Sequence, residues 1–254
     1  MDINGSARHE LKYVVTRDQH NSLVSELSGY MQPDPQGDEG GRYLVTSLYY
    51  DTADYKAYWD KMQGHRFRRK LRVRVYGSQV IAPESPCFVE IKQRNNRTVQ
   101  KKRVVLSYSS AIALCEAGME VTDPPQAGHA VIEEVEYLSS ILQLRPACIV
   151  TYDRHAFIGT EHDPGLRVTF DTNLKGRTHD LSLLSQGDVV DHVVLPSRWR
   201  IMEIKTDGHV PYWLTKLIST YRCAPRRISK YCTTLEQSQA LLRNQRITTY
   251  QPEL

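Results

Sequence analysis

From Arg66 to Val75 the chain reads Arg-Phe-Arg-Arg-Lys-Leu-Arg-Val-Arg-Val. Alternate side chains of a strand share a face. As a strand, this segment sets Arg66, Arg68, Lys70, Arg72 and Arg74 on one side and Leu71, Val73 and Val75 on the other. Taken alone, the basic run reads like a nucleic-acid patch. The alternation confines its cations to one strand face, which suits a lined interior at least as well.

The same pattern recurs along the chain. Arg8, Glu10 and Lys12 oppose Leu11, Tyr13 and Val15, and Glu90, Lys92 and Arg94 oppose Val89 and Ile91. Lys101 and Arg103 share one face of the next strand. Arg167, Thr169 and Asp171 alternate with Val168 and Phe170, and Glu203 and Lys205 close the series. Three strands thus repeat Glu-x-Lys.

Period-2 segments predict strands near 8–15, 44–50, 66–76, 86–94, 98–107, 147–158, 166–172 and 199–206. Helical patterns fall near 18–29, 129–143, 211–222 and 228–242, with shorter ones near 54–61 and 109–117. A hairpin turn is expected at Arg94-Asn95-Asn96-Arg97, since Asn tolerates turn geometry. Gln32 to Gly41 and Val121 to Gly128 read as surface loops, and neither resembles a domain linker. The expectation is one α+β domain over residues 1–254, with its core at about 8–235.

On a half-exposed sheet the charged faces would simply be wet. Six faces that are mostly cationic, with a carboxylate beside a Lys on three, suggest another arrangement. If the sheet closes into an eight-stranded antiparallel β tunnel, these faces line a basic lumen and the helices pack outside. An empty lumen of that kind is costly, because like charges converge at reduced dielectric. A polyanion removes the cost. Arg suits bidentate phosphate contacts, Lys supplies point charges, and a few carboxylates suit a Mg²⁺ or Mn²⁺ that bridges phosphate oxygens. Physical chemistry alone therefore points to a linear phosphate compound and a divalent metal, without specifying a reaction.

Composition removes other classes. The 254 residues are 40% hydrophobic and 24% charged, which excludes a disordered or fibrous chain. Lys plus Arg at 33 against Asp plus Glu at 29 gives a net charge of +4, too little to imply a partner by itself. No run of eighteen apolar residues is present, so no membrane span is expected. Met1 to Ala7 is polar and lacks the apolar core of a secretory signal. Five scattered cysteines without a C-x-x-C pair argue against a disulfide framework or a structural zinc site, and a reducing cytoplasm is the expected compartment.

Nine stretches, in order, resemble the VTC domain, the polyphosphate polymerase domain within the triphosphate tunnel metalloenzyme group. They are Arg8-His9-Glu10-Leu11-Lys12-Tyr13, Ser47-Leu48-Tyr49-Tyr50-Asp51-Thr52, Leu71-Arg72-Val73-Arg74-Val75-Tyr76-Gly77 and Phe88-Val89-Glu90-Ile91-Lys92. Lys101-Lys102-Arg103, Tyr152-Asp153-Arg154-His155-Ala156-Phe157, Arg167-Val168-Thr169-Phe170-Asp171-Thr172, Met202-Glu203-Ile204-Lys205 and Ile228-Ser229-Lys230-Tyr231 follow. The resemblance implies an eight-stranded tunnel that binds ATP or another triphosphate together with inorganic polyphosphate. It implies a phosphotransferase that moves the γ-phosphoryl group of ATP onto a growing chain with a divalent metal, Mn²⁺ or Mg²⁺.

By matching position, the resemblance makes Lys12, Arg72, Arg74, Lys92, Lys101, Arg154, Arg167 and Lys230 phosphate contacts. Arg72, Arg74, Arg154 and Arg167 would clamp the triphosphate and neutralise the transferred group. Ser229 would donate a hydrogen bond, Tyr152 would lie beside the phosphates, and Glu203 would hold the metal, with Glu10 and Glu90 as secondary ligands. Arg103 and Lys205, on the same strand faces, join the substrate-binding set. Lys101 is taken over Lys102 from its strand parity with Arg103, which a one-residue slip would reverse.

One departure sharpens the reading. Related CYTH triphosphatases open with Glu-x-Glu-x-Lys, whereas Arg8 stands at the first Glu position here. That replaces a metal ligand with a cation and favours the polymerase over a metal-dependent triphosphatase or polyphosphatase. A non-catalytic polyphosphate or nucleotide sensor is the other alternative, and Glu203 argues against it. Eukaryotic members add a regulatory SPX domain and membrane helices. Without them, coupling synthesis to export would need a separate membrane protein. No nucleic-acid partner is expected, because the cations are spread over six strands. The histidines form no nucleophilic set. Trp59, Trp199 and Trp213 are expected in packing roles, and Arg226 and Arg227 either guard a tunnel mouth or are simply exposed.

Overall fold

The computed structural model describes residues 9–77, 80–96, 98–117, 128–184 and 191–238. Along the chain these form β1 (His9–Thr16), α1 (Arg17–Leu27), β2 (Met31–Pro33), β3 (Arg42–Asp51), α2 (Lys56–Met62), β4 (Phe67–Tyr76), β5 (Pro86–Asn95) and β6 (Thr98–Ser107). There follow α3 (Tyr108–Ala117), α4 (His129–Leu142), β7 (Arg145–Gly159), β8 (Arg167–Arg177), β9 (His192–Val193), β10 (Trp199–Thr206), α5 (Tyr212–Thr220) and α6 (Lys230–Gln237). Each expected strand and helix is present with ends shifted by at most five residues, residues 239–242 of the last expected helix lying outside the described residues, and the fold is mixed α/β with antiparallel pairing. Among the described residues no helix is long and apolar enough to cross a membrane. Arg8, Arg97 and residues 121–127 of the second expected loop lie outside the described residues.

Residue contacts gather into two compact units. The first comprises Met1–Val45, Thr151–Leu174 and Leu195–Ser229, and the second Thr46–Val150, Lys175–Val194 and Lys230–Leu254.

In the first unit β1, β10, β8 and β7 lie side by side in that order. The register pairs Lys12 with Glu203 and Glu203 with Thr169, and likewise Glu10 with Lys205 and Lys205 with Arg167. Directly opposed residues point the same way, so these rows share one polar face. The opposite face buries Tyr13, Val15, Val168, Phe170, Met202 and Ile204 against Leu23 and Leu27 of α1 and Leu214 of α5. Each such aliphatic side chain contributes roughly 1.5–3 kcal/mol on burial. A capping box starts α1: Gln19 N–H donates to Thr16 Oγ1 at 3.2 Å, and Thr16 N–H donates to Gln19 Oε1 at 2.8 Å. The other edge of β1 carries an isolated bridge from Tyr13 to Pro225, and Arg226 N–H donates to the Lys12 carbonyl at 2.8 Å.

The stretch from Gln32 to Gly41 is largely exposed, as expected of a surface loop, except at Asp34 and Gly41. Gln32 and Pro33 belong to β2, which pairs with β7, and Asp34 is only 4% exposed. Asp34 N–H donates to the Ala156 carbonyl, and Ala156 N–H donates to that of Gly41, each at 2.9 Å. Gly41 has φ +71°, and a Cβ there would lie 2.5 Å from the Ala156 oxygen. Only glycine permits that approach, and it folds the loop back onto β7.

In the second unit β3, β4, β5 and β6 are neighbours in that order. The β5–β6 hairpin closes between Asn95 and Thr98, with Asn96 at φ +54°. Leu71, Val73, Val89, Ile91 and Val104 face Ala111 and Leu114 of α3 and Ile132, Val135 and Leu138 of α4 in one buried cluster.

Candidate functional site

The opposite face of β4, β5 and β6 carries the charge. Register places Lys70, Lys92 and Lys101 in one row, Arg72, Glu90 and Arg103 in the next, and Arg74 beside Phe88 beyond it. Arg68 and Arg94 are opposed further along. Glu90, 1% exposed, is the carboxylate among these cations. Arg72 grips Glu90 Oε2 through Nε at 2.8 Å and Nη2 at 2.6 Å. Arg74 Nη1 lies 3.9 Å from the same oxygen, and the Lys101 ammonium contacts Oε1.

Burial pushes the Glu90 carboxyl up, yet Arg72, Arg74 and Lys101 outweigh it and hold it at about 2. The Lys101 ammonium is lowered all the same, because burial and the Arg72 charge together outweigh what Glu90 returns. Two phenols report the same positive field. Burial raises Tyr49, but Arg72, Arg74 and Lys230 bring it below its ordinary value, and Arg74 does the same to Tyr76 against burial.

Hydroxyls of β3 hold the two arginines. Arg74 Nε donates to Ser47 Oγ at 2.9 Å, and Arg72 Nη1 donates to the Tyr49 hydroxyl at 3.0 Å. The Arg103 guanidinium lies 5.1 Å from the Phe88 ring centroid. Lys230 is buried at the start of α6, and Lys92 is half-buried between Lys70 and Lys101. Lys102, by contrast, is opposed to Ile91 on the other face and pairs with Glu134 of α4 at 2.6 Å.

The polar face of the first unit is built differently, with carboxylates and cations closer to parity. Lys12 Nζ lies 3.0 Å from Glu203 Oε1 and 3.6 Å from Glu10 Oε1, while Lys205 Nζ lies 4.0 Å from Glu203 Oε2. Glu10 and Glu203 thus converge on one ammonium. Mg²⁺ commonly binds through one or two carboxylates plus substrate phosphates rather than a full protein cage. The Glu10–Glu203 pair fits that mode, although among the described residues no group of three or more His, Cys, Asp or Glu could hold a metal by itself.

Arg154 meets Asp171 with both prongs and also donates to the Tyr152 hydroxyl at 3.4 Å. Both Arg154 and Tyr152 are buried, so the expected clamp residue carries a built-in counter-ion. Burial works against the Arg154 charge, and Asp171 overcomes it, raising the guanidinium further. Arg167 Nη2 donates to Asp34 Oδ2 at 2.6 Å and to the Tyr43 hydroxyl at 2.7 Å. Ser229 is half-buried just ahead of α6.

Sequence reasoning passed over Asp34, Tyr43, Ser47, Tyr49 and Asp51. The signal for the last three was their alternation with Leu48 and Tyr50 along β3.

A family comparison matches the VTC domain over residues 7–239. No curated protein matches the sequence. Two similar solved structures bear the description "putative adenylate cyclase". The one from Bacillus halodurans is 18% identical with a TM-score of 0.50, over 88% of this chain and 95% of that one. The one from Vibrio parahaemolyticus is 11% identical with a TM-score of 0.45, over 92% and 99%. At such identity the first likeness speaks for the fold alone.

Proposed function

The chain belongs to the VTC domain family, and from that premise we propose that it is an ATP-dependent inorganic polyphosphate polymerase. The closed eight-stranded tunnel and the single-domain organisation that the family implies are part of this proposal. So are a cytoplasmic location and a separate membrane protein as partner.

The observation that carries the reading is the face of β4, β5 and β6. One buried carboxylate, Glu90, is held by Arg72, Arg74 and Lys101 on a face whose other charged residues are all Lys and Arg. Cations gathered at low dielectric are costly without a polyanion to meet them. A linear phosphate chain supplies matching charge at regular intervals.

In this reading Arg72 and Arg74, oriented by Glu90, Tyr49 and Ser47, bind the transferred phosphoryl group and take up the charge that gathers on its oxygens. Lys92, Lys101, Arg103 and Lys230 contact neighbouring phosphates. On the polar face of the first unit, Lys12, Arg154, Arg167, Lys205, Tyr152 and Ser229 are the phosphate contacts that the family resemblance implies. Glu203 and Glu10 would hold Mn²⁺ or Mg²⁺, with Glu90 less suited because three cations already occupy it. A divalent ion held there would neutralise phosphate charge and favour departure of ADP. The attacking oxygen belongs to the acceptor chain and is anionic at neutral pH, so the protein needs no general base.

The test is incubation of the purified protein with Mn²⁺ and γ-labelled ATP, followed by sizing of the products, with Glu203→Gln alongside. Long labelled polymer, absent from the variant, is expected. Labelled phosphate without polymer would instead make the protein a hydrolase, and tight triphosphate binding without either product would make it a sensor.

A further inference from the structure

The face of β3 carries a ladder of which the proposed chemistry uses only two rungs, Ser47 and Tyr49. Ser47, Tyr49 and Asp51 occupy alternate positions, and two of them meet successive cations of β4, Ser47 with Arg74 and Tyr49 with Arg72. The third rung acts at one remove. The Tyr231 hydroxyl donates to Asp51 Oδ2, and Lys70 Nζ lies 4.6 Å from the Tyr231 ring centroid.

Asp51 is a firm anchor, at 1% exposure. Its Oδ1 accepts the N–H groups of Thr52 at 2.7 Å and Ala57 at 2.8 Å, and its Oδ2 accepts that of Tyr58 at 3.2 Å. The carboxylate therefore caps the first turn of α2 while holding α6 through Tyr231. Burial and the neighbouring Asp51 charge push the Tyr231 phenol up, so it remains a donor.

The Tyr231 ring also lies against Tyr49, with centroids 5.2 Å apart, and Tyr49 holds Arg72. Lys230 immediately precedes Tyr231 on the same helical turn. One aromatic ring thus adjoins a cation of β4, the partner of a second, and the backbone of a third.

We infer that Tyr231 is a positioning residue, which Asp51 anchors and which sets Lys230 and Lys70 for contact with phosphate. The inference rests on the proposed reading, in which Lys230 touches the substrate. A residue that merely filled the core would stabilise the fold without changing what Lys230 contributes.

A double-mutant cycle separates these roles. Inorganic tripolyphosphate is titrated calorimetrically into the wild type, Tyr231→Phe, Lys230→Ala and the double variant. Tyr231→Phe deletes one oxygen and keeps the ring. It is expected to weaken binding roughly tenfold, the worth of one well-placed hydrogen bond, and that loss should shrink once Lys230 is gone, leaving only the part that passes through Lys70. Tyr58→Phe is the control, because it cuts another tie to α6, from the Tyr58 hydroxyl to Glu236 at 3.2 Å, and should leave affinity unchanged. An undiminished loss in the Lys230→Ala background, no loss in Tyr231→Phe, or an equal loss in Tyr58→Phe would overturn the inference alone. A wild type that does not bind tripolyphosphate would overturn the functional reading and the inference with it.

Discussion

Arg154 and Asp171 face each other from β7 and β8 as a two-pronged ion pair, Nε to Oδ1 at 2.7 Å and Nη2 to Oδ2 at 2.8 Å. Asp171 is fully buried and Arg154 nearly so. A phosphate that reaches Arg154 meets a guanidinium already fixed in plane, with its orientation settled before any ligand arrives.

Removing the counter-ion should be severe. Asp171→Asn leaves the Arg154 charge buried without compensation, which costs about 3–5 kcal/mol. Denaturant unfolding of the variant measures this. A loss below about 1 kcal/mol, the value of an exposed pair, would mean that water reaches the pair in solution.

His155 predicts an acid-sensitive stability. Burial, then Arg42 and His20, lower its imidazole from 6.5 to about 4. The folded state therefore disfavours the proton that the unfolded chain accepts. Stability from this group is complete above about pH 6.5 and is lost as pH falls to about 4. The loss is at most about 3 kcal/mol, and smaller to the extent that solvent screens the ring. In His155→Phe that part of the pH dependence should disappear, so the stability difference between wild type and variant should change across this window. A constant difference would show that the imidazole titrates normally.

Two adjacent lysines offer a third test. Lys101 faces Glu90 and Lys92, whereas Lys102 faces Ile91 and reaches Glu134. Lys101→Ala should weaken tripolyphosphate binding about tenfold, as loss of a charge-assisted contact does. Lys102→Ala should leave affinity unchanged and cost at most about 1 kcal/mol of stability. The reverse pattern in a binding titration would put the ligand on the other side of β6.

Much of this architecture is legible in the sequence because the strands alternate so strictly. Lys70, Arg72 and Arg74 against Leu71, Val73 and Val75 fix a face whatever the neighbours are. The short elements are not legible: Met31–Pro33 and His192–Val193 contain too few residues to show a period, and their neighbours create them. Counter-ions were harder still. Asp171 stood on a recognised strand face, but its pairing with Arg154 depends on the juxtaposition of β7 and β8, which one strand's periodicity does not encode. Asp34 lay hidden in a Pro- and Gly-rich stretch that reads as exposed until the close approach at Gly41 turns it inward. The carboxylates of the polar faces were visible as candidate metal ligands. Their second task, holding arginines and lysines in place, appears only with distances.

The bridge from Tyr13 to Pro225 bears on how copies of this protein behave at high concentration. A sheet margin with unpaired amides can template a foreign strand and seed aggregation. Along the margin of β1, Arg226 N–H already occupies the Lys12 carbonyl, and the residue laid against Tyr13 is a proline, which has no N–H to donate. An incoming chain finds one acceptor taken and one donor missing, so the margin that β1 would otherwise expose is closed to growth at that point.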